Sequence, residues 1–139
     1  MEIVREQIDA FNRGDFSAAI EALDEDVEWQ VPHIAALDAP ASGLLRGRRE
    51  MIESFRQWFE AWDSFAFEVM EIRAGREGNV FMAGVQTGRG RTSGVDVTVP
   101  TFHVVTVRNG KIARMRTLRD RGEALEAAGL SEQDAHADS

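Results

Sequence analysis

The chain has 139 residues, with 24 acidic and 16 basic side chains and a net charge of −8. It has no cysteine and no tyrosine, which excludes disulfides, thiolate nucleophiles and phenolic acids. A chain of this length forms one domain, which we place at residues 1–130, and the polar residues 131–139 are expected to be a disordered tail.

The acidic net charge disfavours nucleic acid and anionic membranes as partners. Ten of the 16 basic residues lie in 71–121, which has four acidic residues. Since no aromatic stacking pattern accompanies them, we assign these arginines to a solvent-facing side of a sheet and keep nucleic-acid binding as an alternative. The acidic start MEIVREQIDAF is unlike a signal peptide, and no apolar run approaches 18 residues. The sequence therefore predicts a cytoplasmic protein without membrane contact.

The first elements in the chain are two short helices. Val4, Ile8 and Phe11 recur at helical spacing, and Gly14 ends this helix. Asp15 is a typical N-cap for a second helix, because its carboxylate accepts hydrogen bonds from free backbone N–H groups. The two segments predict a helical hairpin.

A strand and a long helix follow. Hydrophobic and polar residues alternate over 27–31 and predict a strand that Pro32 ends. Residues 33–46 are predicted to form an irregular loop that acts as a lid or rim. Helical spacing returns over 48–62. Its apolar face consists of Met51, Phe55, Trp58 and Trp62, widened by Ile52 and Phe59.

Four strands are predicted at 65–73, 79–88, 95–108 and 111–119, followed by a short helix at 121–130. Glycine-rich connections and Asn109-Gly110 separate the strands and are typical of hairpins. The element order predicts an α+β fold in which the long helix closes the concave side of a bent, mostly antiparallel sheet. The open end of this cone is the expected pocket.

Three stretches carry a resemblance to a known family: AFNRGDFSAAIEALDEDVEW, LRGRREMIESFRQWF and FHVVTVRNGKIARMRTLRD. With the element order, they resemble the nuclear transport factor 2-like superfamily over residues 2–130. The SnoaL-like branch is the most similar; it includes polyketide cyclases and lies near the ketosteroid isomerases and limonene epoxide hydrolases. The resemblance implies a cone-shaped, cystatin-like α+β roll, on which both enzymes and binding modules occur.

The resemblance also implies which positions would do chemistry. Where ketosteroid isomerases have an oxyanion-hole tyrosine and a catalytic aspartate, this chain has Gln7 and Val31. His103 occupies the second oxyanion-hole position and also matches the histidine of SnoaL-like cyclases. Their catalytic aspartic acid, 14 residues further on, corresponds to Thr117, and Asp120 would replace it only if the chain bends there. The usual family acids and bases are therefore absent.

His103 is the candidate catalytic residue. It shares one face of its strand with Val99, Thr101 and Val105, so burial is expected to lower its pKa and keep it neutral. The alternative is a core histidine bonded to a neighbouring side chain or carbonyl. No carboxylate stands at ligand spacing to it, and we predict neither a metal nor a cofactor.

The register of the Asn109-Gly110 hairpin decides what faces His103. A two-residue type I′ loop would place Arg116 opposite it, whereas an added bulge would place Met115 opposite. We prefer the second register, which puts Thr117 and Arg119 on the same face. Arg119 at the pocket mouth would hold a carboxylate or enolate oxygen.

The predicted ligand-binding residues are completed by an aromatic wall and a loop histidine. They are Trp29, Trp58, Phe59 and Trp62, with His33 after Pro32. Two functions stay open: a cofactor-independent isomerase, cyclase or hydrolase that acts on a small hydrophobic carbonyl or polyketide-like molecule through His103, and a non-catalytic dimeric module that binds such a molecule.

We also predict a homodimer through the outer face of the sheet. In the preferred register this face consists of Phe102, Val104, Ile112 and Leu118.

Overall fold

The structure, a computed structural model, describes residues 2–31, 43–118 and 120–131. Its elements in chain order are α1 (Glu2–Arg13), α2 (Phe16–Glu21), β1 (Leu23–Val31), β2 (Gly43–Arg46), α3 (Gly47–Ala61), β3 (Trp62–Ala74), β4 (Asn79–Gly90), β5 (Asp96–Arg108), β6 (Lys111–Leu118) and α4 (Arg121–Ala127). No helix in these three ranges has the length and apolar character needed to cross a membrane.

The helical hairpin forms as predicted. Gly14 follows α1 with a φ of 75°, a conformation that glycine adopts without steric cost. The Asp15 carboxylate accepts a hydrogen bond from the Ala18 amide at 3.2 Å and so caps α2. Val4 and Ile8 of α1 are buried against the sheet.

The six strands form one curved, unclosed sheet in the order β2-β1-β6-β5-β4-β3. Among the strands of the described residues, only β1 and β6 pair in parallel, and the β3 to β6 meander is antiparallel as predicted. The predicted α+β fold class is confirmed. The prediction of a loop over 33–46 is wrong at its C-terminal end, because Gly43–Arg46 pair with β1 as a short edge strand. The rest of that segment lies outside the described residues.

Helix α3 packs against the concave side of the sheet. Met51 and Phe55 are buried in the main core, as their spacing predicts. Ile52 does not belong to this face, since its side chain is 50% exposed. Consecutive helical residues are about 100° apart around the axis, so Ile52 points away from the strip that Met51 occupies.

The predicted hairpin register is wrong by two residues. Asn109 and Gly110 both have positive φ, as a type I′ loop requires. However, a bulge between the pairs Val107↔Ile112 and Thr106↔Arg114 adds a residue to β6, and Thr117 therefore lies opposite His103. A shift of two positions preserves the face of each side chain. Thr117 and Met115 accordingly stay on the His103 side.

The outer face of the sheet is covered by α4. Ala124, Leu125 and Ala128 pack there on Phe81 and Val104. Of the residues predicted to form the dimer surface, Phe102, Val104 and Leu118 pack into this cluster, and Ile112 lies in the main core on the other side because of the bulge. The prediction that these four residues form an exposed dimer surface is therefore wrong. No local pattern indicated that the seven-residue helix α4 would fold back over them.

Candidate functional site

His103 lies at the centre of the inner face of the sheet, on β5 between Met82 of β4 and Thr117 of β6. Its imidazole ring stands edge-on to the ring of Phe67, with 5.0 Å between centroids and an interplanar angle of 84°. Phe67 is buried and reaches across from β3. The histidine is half-buried among apolar side chains.

A chain of hydrogen bonds orients the His103 ring. The indole N–H of Trp29 donates to the Thr117 hydroxyl at 2.9 Å, and that hydroxyl lies 3.0 Å from Nδ1 of His103. An indole N–H only donates, so it occupies a lone pair of Thr117. Within the described residues the Thr117 hydroxyl has no other acceptor for its own hydrogen. Donation to Nδ1 would satisfy this hydrogen, and the neutral ring would then carry its proton on Nε2.

The electrostatics of this site favour a neutral histidine. Burial lowers the pKa of His103 to about 4, because the apolar surroundings penalise the charged ring. The ring is thus uncharged at pH 7, in agreement with the sequence expectation. A group with so low a pKa is a weak base at neutral pH, but the one N–H group of the neutral ring remains an effective hydrogen-bond donor.

Aromatic rings pack against one another between α3 and the sheet. Phe11 of α1 contacts Phe55, Phe59 and Phe65 with centroid distances of 4.8 to 5.4 Å. Trp58 contacts both Trp62 and Phe65, at 5.5 and 5.7 Å. Such a surface suits a flat apolar molecule.

Two glycines of β4 make room for these rings. A Cβ atom on Gly84 would lie 2.6 Å from the Phe67 ring, and one on Gly88 would lie 2.9 Å from the Trp62 ring. Any side chain at either position would displace the ring above it. The glycines thus let Phe67 and Trp62 lie flat against the backbone of the sheet.

The predicted site residues separate into groups. Thr117 lies opposite His103, Trp29 bonds to Thr117, and Met115 lies opposite Val105, the next residue on the same face as His103. Trp58 and Trp62 form a second cluster with Phe65, Val97 and Val99 further along the sheet. Phe59 packs on Phe11, Phe16 and Phe65, closer to the helical hairpin. His33 and Arg119 lie outside the described residues.

Sequence reasoning missed two residues that build the site. Phe67 holds the His103 ring, and Asn12 holds Phe67 by donating to its carbonyl and accepting from its amide, both at 3.0 Å. Strand alternation places Phe67 on the inner face, but nothing in the sequence pairs it with His103. Asn12 does not belong to a hydrophobic repeat, so periodicity could not predict its bonds to the free edge of β3.

A separate cleft of about 390 Å³ lies between α1, α2 and the β5–β6 turn. Its charged lining consists of Glu6, Asp9, Arg13, Glu21 and Lys111. Lys111 already donates to the Glu21 carbonyl at 2.6 Å. The cleft does not include His103, and we place the candidate site on the inner face of the sheet because the buried polar groups converge there. Across the described ranges, no three His, Asp or Glu side chains gather as metal ligands.

The fold is similar to several solved structures. One is a nuclear transport factor 2-like protein of unknown function from Burkholderia pseudomallei, with a TM-score of 0.75 and 23% identity over 92% of this chain and 95% of that one. Another is TerC co-crystallised with polyporic acid, with a TM-score of 0.74 and 20% identity over 91% and 95% of the two chains. A third is a protein with a ketosteroid isomerase-like fold from Catenulispora acidiphila in complex with trimethylamine, with a TM-score of 0.72 and 15% identity over 93% of each chain.

The solved structures show a similar fold, and a family model shows which family the chain belongs to. No curated protein matches the sequence. The model described as SnoaL-like domain matches residues 4–115, which is most of the chain. This agrees with the resemblance in the sequence and with the cone-shaped fold. The chain therefore belongs to the SnoaL-like domain family.

Proposed function

We propose that this protein binds a small, largely apolar molecule on the inner face of the sheet, and that His103 donates a hydrogen bond from Nε2 to an oxygen of that molecule. The observation that carries the proposal is the 3.0 Å contact between Nδ1 and the Thr117 hydroxyl, which already accepts a hydrogen bond from Trp29. A hydroxyl that donates to Nδ1 leaves Nε2–H as the donor of a neutral ring. A neutral donor suits an uncharged carbonyl oxygen, since pairing with it creates no buried charge.

The surroundings of His103 support an apolar, aromatic ligand. The ring of Phe67 and the clusters around Phe11 and Trp58 offer edge and face contacts to a planar molecule. Two proteins of similar fold were also crystallised with small molecules: TerC with polyporic acid, and the Catenulispora acidiphila protein with trimethylamine.

A second candidate function is catalysis by the same donor. A neutral imidazole can polarise a carbonyl and stabilise a developing enolate without transferring its proton. A histidine with a pKa of about 4 is a weak base at pH 7, and this favours the role of hydrogen-bond donor over proton abstraction by His103. Thr117 is occupied by Trp29 and His103 and is a positioning residue in this proposal.

The test uses 4-acetylbiphenyl, an aromatic molecule with one ketone, and isothermal titration calorimetry. Wild type is expected to bind it, and His103→Leu, of similar size, to bind about tenfold more weakly because one hydrogen bond to a carbonyl is lost. His103→Gln, which keeps an N–H group near the Nε2 position, serves as the control and should retain most of the affinity. No binding by wild type, or equal affinity in His103→Leu, would contradict the proposal.

We also propose that the protein is a homodimer through the part of the sheet that α4 leaves uncovered. Met70, at the bulge of the edge strand β3, is 66% exposed, which is high for a large apolar side chain. Light scattering at micromolar concentration is expected to give twice the chain mass, and Met70→Glu to give the monomer mass. A monomeric wild type would contradict this.

A further inference from the structure

Strand β3 is an edge of the sheet, and part of its backbone faces outward without a neighbouring strand. The Gly75 amide donates to the Asn79 carbonyl at 2.7 Å, so these two residues form a hydrogen-bonded pair of the ladder between β3 and β4. Bonded and non-bonded pairs alternate along an antiparallel ladder. Ala74 and Ile72, one and three positions before Gly75, therefore belong to non-bonded pairs. Their N–H and C=O groups point away from β4, toward the open edge.

Asn12 limits the open part of this edge. Its side chain bonds to both the N–H and the C=O of Phe67 and so occupies the edge at that residue. A second strand can add only beyond it, from Val69 to Ala74, a stretch that contains the bulge at Met70. Open edges of this kind are templates for pairing with another chain.

Two oppositely charged side chains flank Ile72 on the outer face of the sheet. They are Glu71 and Arg73, and each side chain is 25% exposed. The Glu71 carboxylate forms an ion pair with Arg121 at 2.9 Å. It also lies 3.5 Å from Nε of Arg73, which makes no hydrogen bond. Arg73 can therefore pair with a further carboxylate.

These charges select one register for the pairing of two copies. Two identical edges meet in antiparallel orientation around a twofold axis. With Ile72 at the axis, Glu71 of each copy lies opposite Arg73 of the partner subunit, which gives two favourable cross-strand pairs. An axis at Glu71 or at Arg73 would instead place like charges directly opposite each other, which is destabilising. The segment Glu71–Arg73 is thus complementary to a second copy of itself.

We propose that two copies of this chain pair through their β3 edges around Ile72 and so join their sheets into one. This inference rests on the proposed homodimer and states which surface forms it. The Ile72 N–H of each copy donates to the C=O of Ile72 of the partner subunit, and the pairs of Glu71 with Arg73 of the partner subunit lie beside these bonds. The same register places Met70, which is exposed in the single chain, opposite the small Ala74 of the partner subunit.

An exchange of charges tests the pairing. Arg73→Glu puts like charges opposite each other in both cross-strand pairs, so light scattering should give the monomer mass at a micromolar concentration at which wild type is a dimer. The double variant Glu71→Arg with Arg73→Glu brings opposite charges together again and should restore the dimer mass. Arg49→Glu makes the same change at an exposed residue of α3; it is the control and should stay dimeric. Circular dichroism checks that each variant is folded.

Hydrogen exchange provides a second readout in the unmodified protein. The Ile72 amide faces the open edge in a single chain, so it should be protected in the dimer and lose this protection when the protein is diluted to the monomer. The Arg73 amide faces β4 in both states, because Arg73 is in a bonded pair of the ladder. Its exchange should change much less and serves as the internal control.

The outcomes separate the edge pairing from the homodimer itself. A monomeric wild type would overturn both. A dimeric wild type in which the Ile72 amide exchanges equally fast before and after dilution would overturn the edge pairing alone, and the dimer would then use another surface. A folded Arg73→Glu variant that stays dimeric would also overturn the edge pairing.

Discussion

Thr117 determines the chemistry of its neighbours although it has no useful acidity itself. Its hydroxyl accepts from the Trp29 indole and lies within hydrogen-bonding distance of Nδ1 of His103. In the proposed arrangement, Thr117 holds the ring and donates to Nδ1, so that the ring proton is on Nε2. Sequence reasoning identified Thr117 as a pocket residue, but only the bulge in β6 places it directly opposite His103.

Replacing Thr117 with valine keeps the shape of the side chain and removes the hydroxyl. Because the Trp29 N–H and His103 Nδ1 then lose their shared partner, the free energy of unfolding is expected to fall by about 2 kcal/mol. Thr117→Ser, which keeps the hydroxyl, should lose clearly less. Urea denaturation of the three proteins checks this, and equal stability of Thr117→Val and wild type would contradict the hydrogen-bond chain.

The pKa of His103 predicts a stability that depends on pH. Its pKa is about 4 in the folded protein, below the ordinary value of 6.5, so between these values the unfolded chain binds a proton that the folded one does not. Stability therefore falls as pH drops from 6.5 to 4, by up to about 3 kcal/mol from this group.

The measurement compares wild type with His103→Leu, which lacks the titrating ring but keeps every carboxylate. The difference in free energy of unfolding between the two proteins should change across pH 4 to 6.5 and stay constant above pH 7. Parallel pH profiles would show that His103 titrates normally.

At the level of elements, α1 and the β3 edge are joined by one side chain. Asn12 forms two hydrogen bonds of 3.0 Å with the backbone of Phe67, and β3 is the last strand in the sheet order. These bonds pair backbone groups that an edge strand would otherwise leave open. They also fix the strand whose Phe67 ring holds His103.

Replacing Asn12 with alanine is expected to lower the free energy of unfolding by about 1–3 kcal/mol, since both bonds are lost. Asn12→Asp keeps the acceptor for the Phe67 amide and should show an intermediate loss. Hydrogen exchange at the Phe67 amide gives the local readout: it should accelerate in Asn12→Ala more than in Asn12→Asp. Unchanged exchange in both variants would rule out this role for Asn12.

The elements themselves were largely predictable from periodicity, whereas their register was not. Helical spacing identified α1 and α3, and the positive φ values of Asn109 and Gly110 match the expected turn. The bulge in β6 depends on how Ile112 enters the core beside β1, which is a tertiary contact without a local pattern. For the same reason strand alternation predicted the correct face for Met115, whereas the predicted partner of His103 was wrong.

For the whole molecule, the fold and the family could be predicted from the sequence, but the residues exposed on the two faces of the sheet could not. The cone and its SnoaL-like assignment follow from the order of the elements and from three stretches of sequence, and both are confirmed. The outer face was mispredicted because α4 returns over Phe81 and Val104. The polar arrangement on the inner face depends on contacts between residues up to 88 positions apart, such as Trp29 and Thr117.

Nitrogen-15 NMR of the His103 ring at pH 6 tests the central claim most directly, in the free protein and with 4-acetylbiphenyl added. We predict a neutral ring protonated at Nε2 in the free protein, and a change in the Nε2 and attached proton shifts on addition of the ketone, with the resonances of His33 and His136 providing the comparison. A charged ring at pH 6, a proton on Nδ1, or Nε2 shifts that do not respond to the ketone would contradict the account.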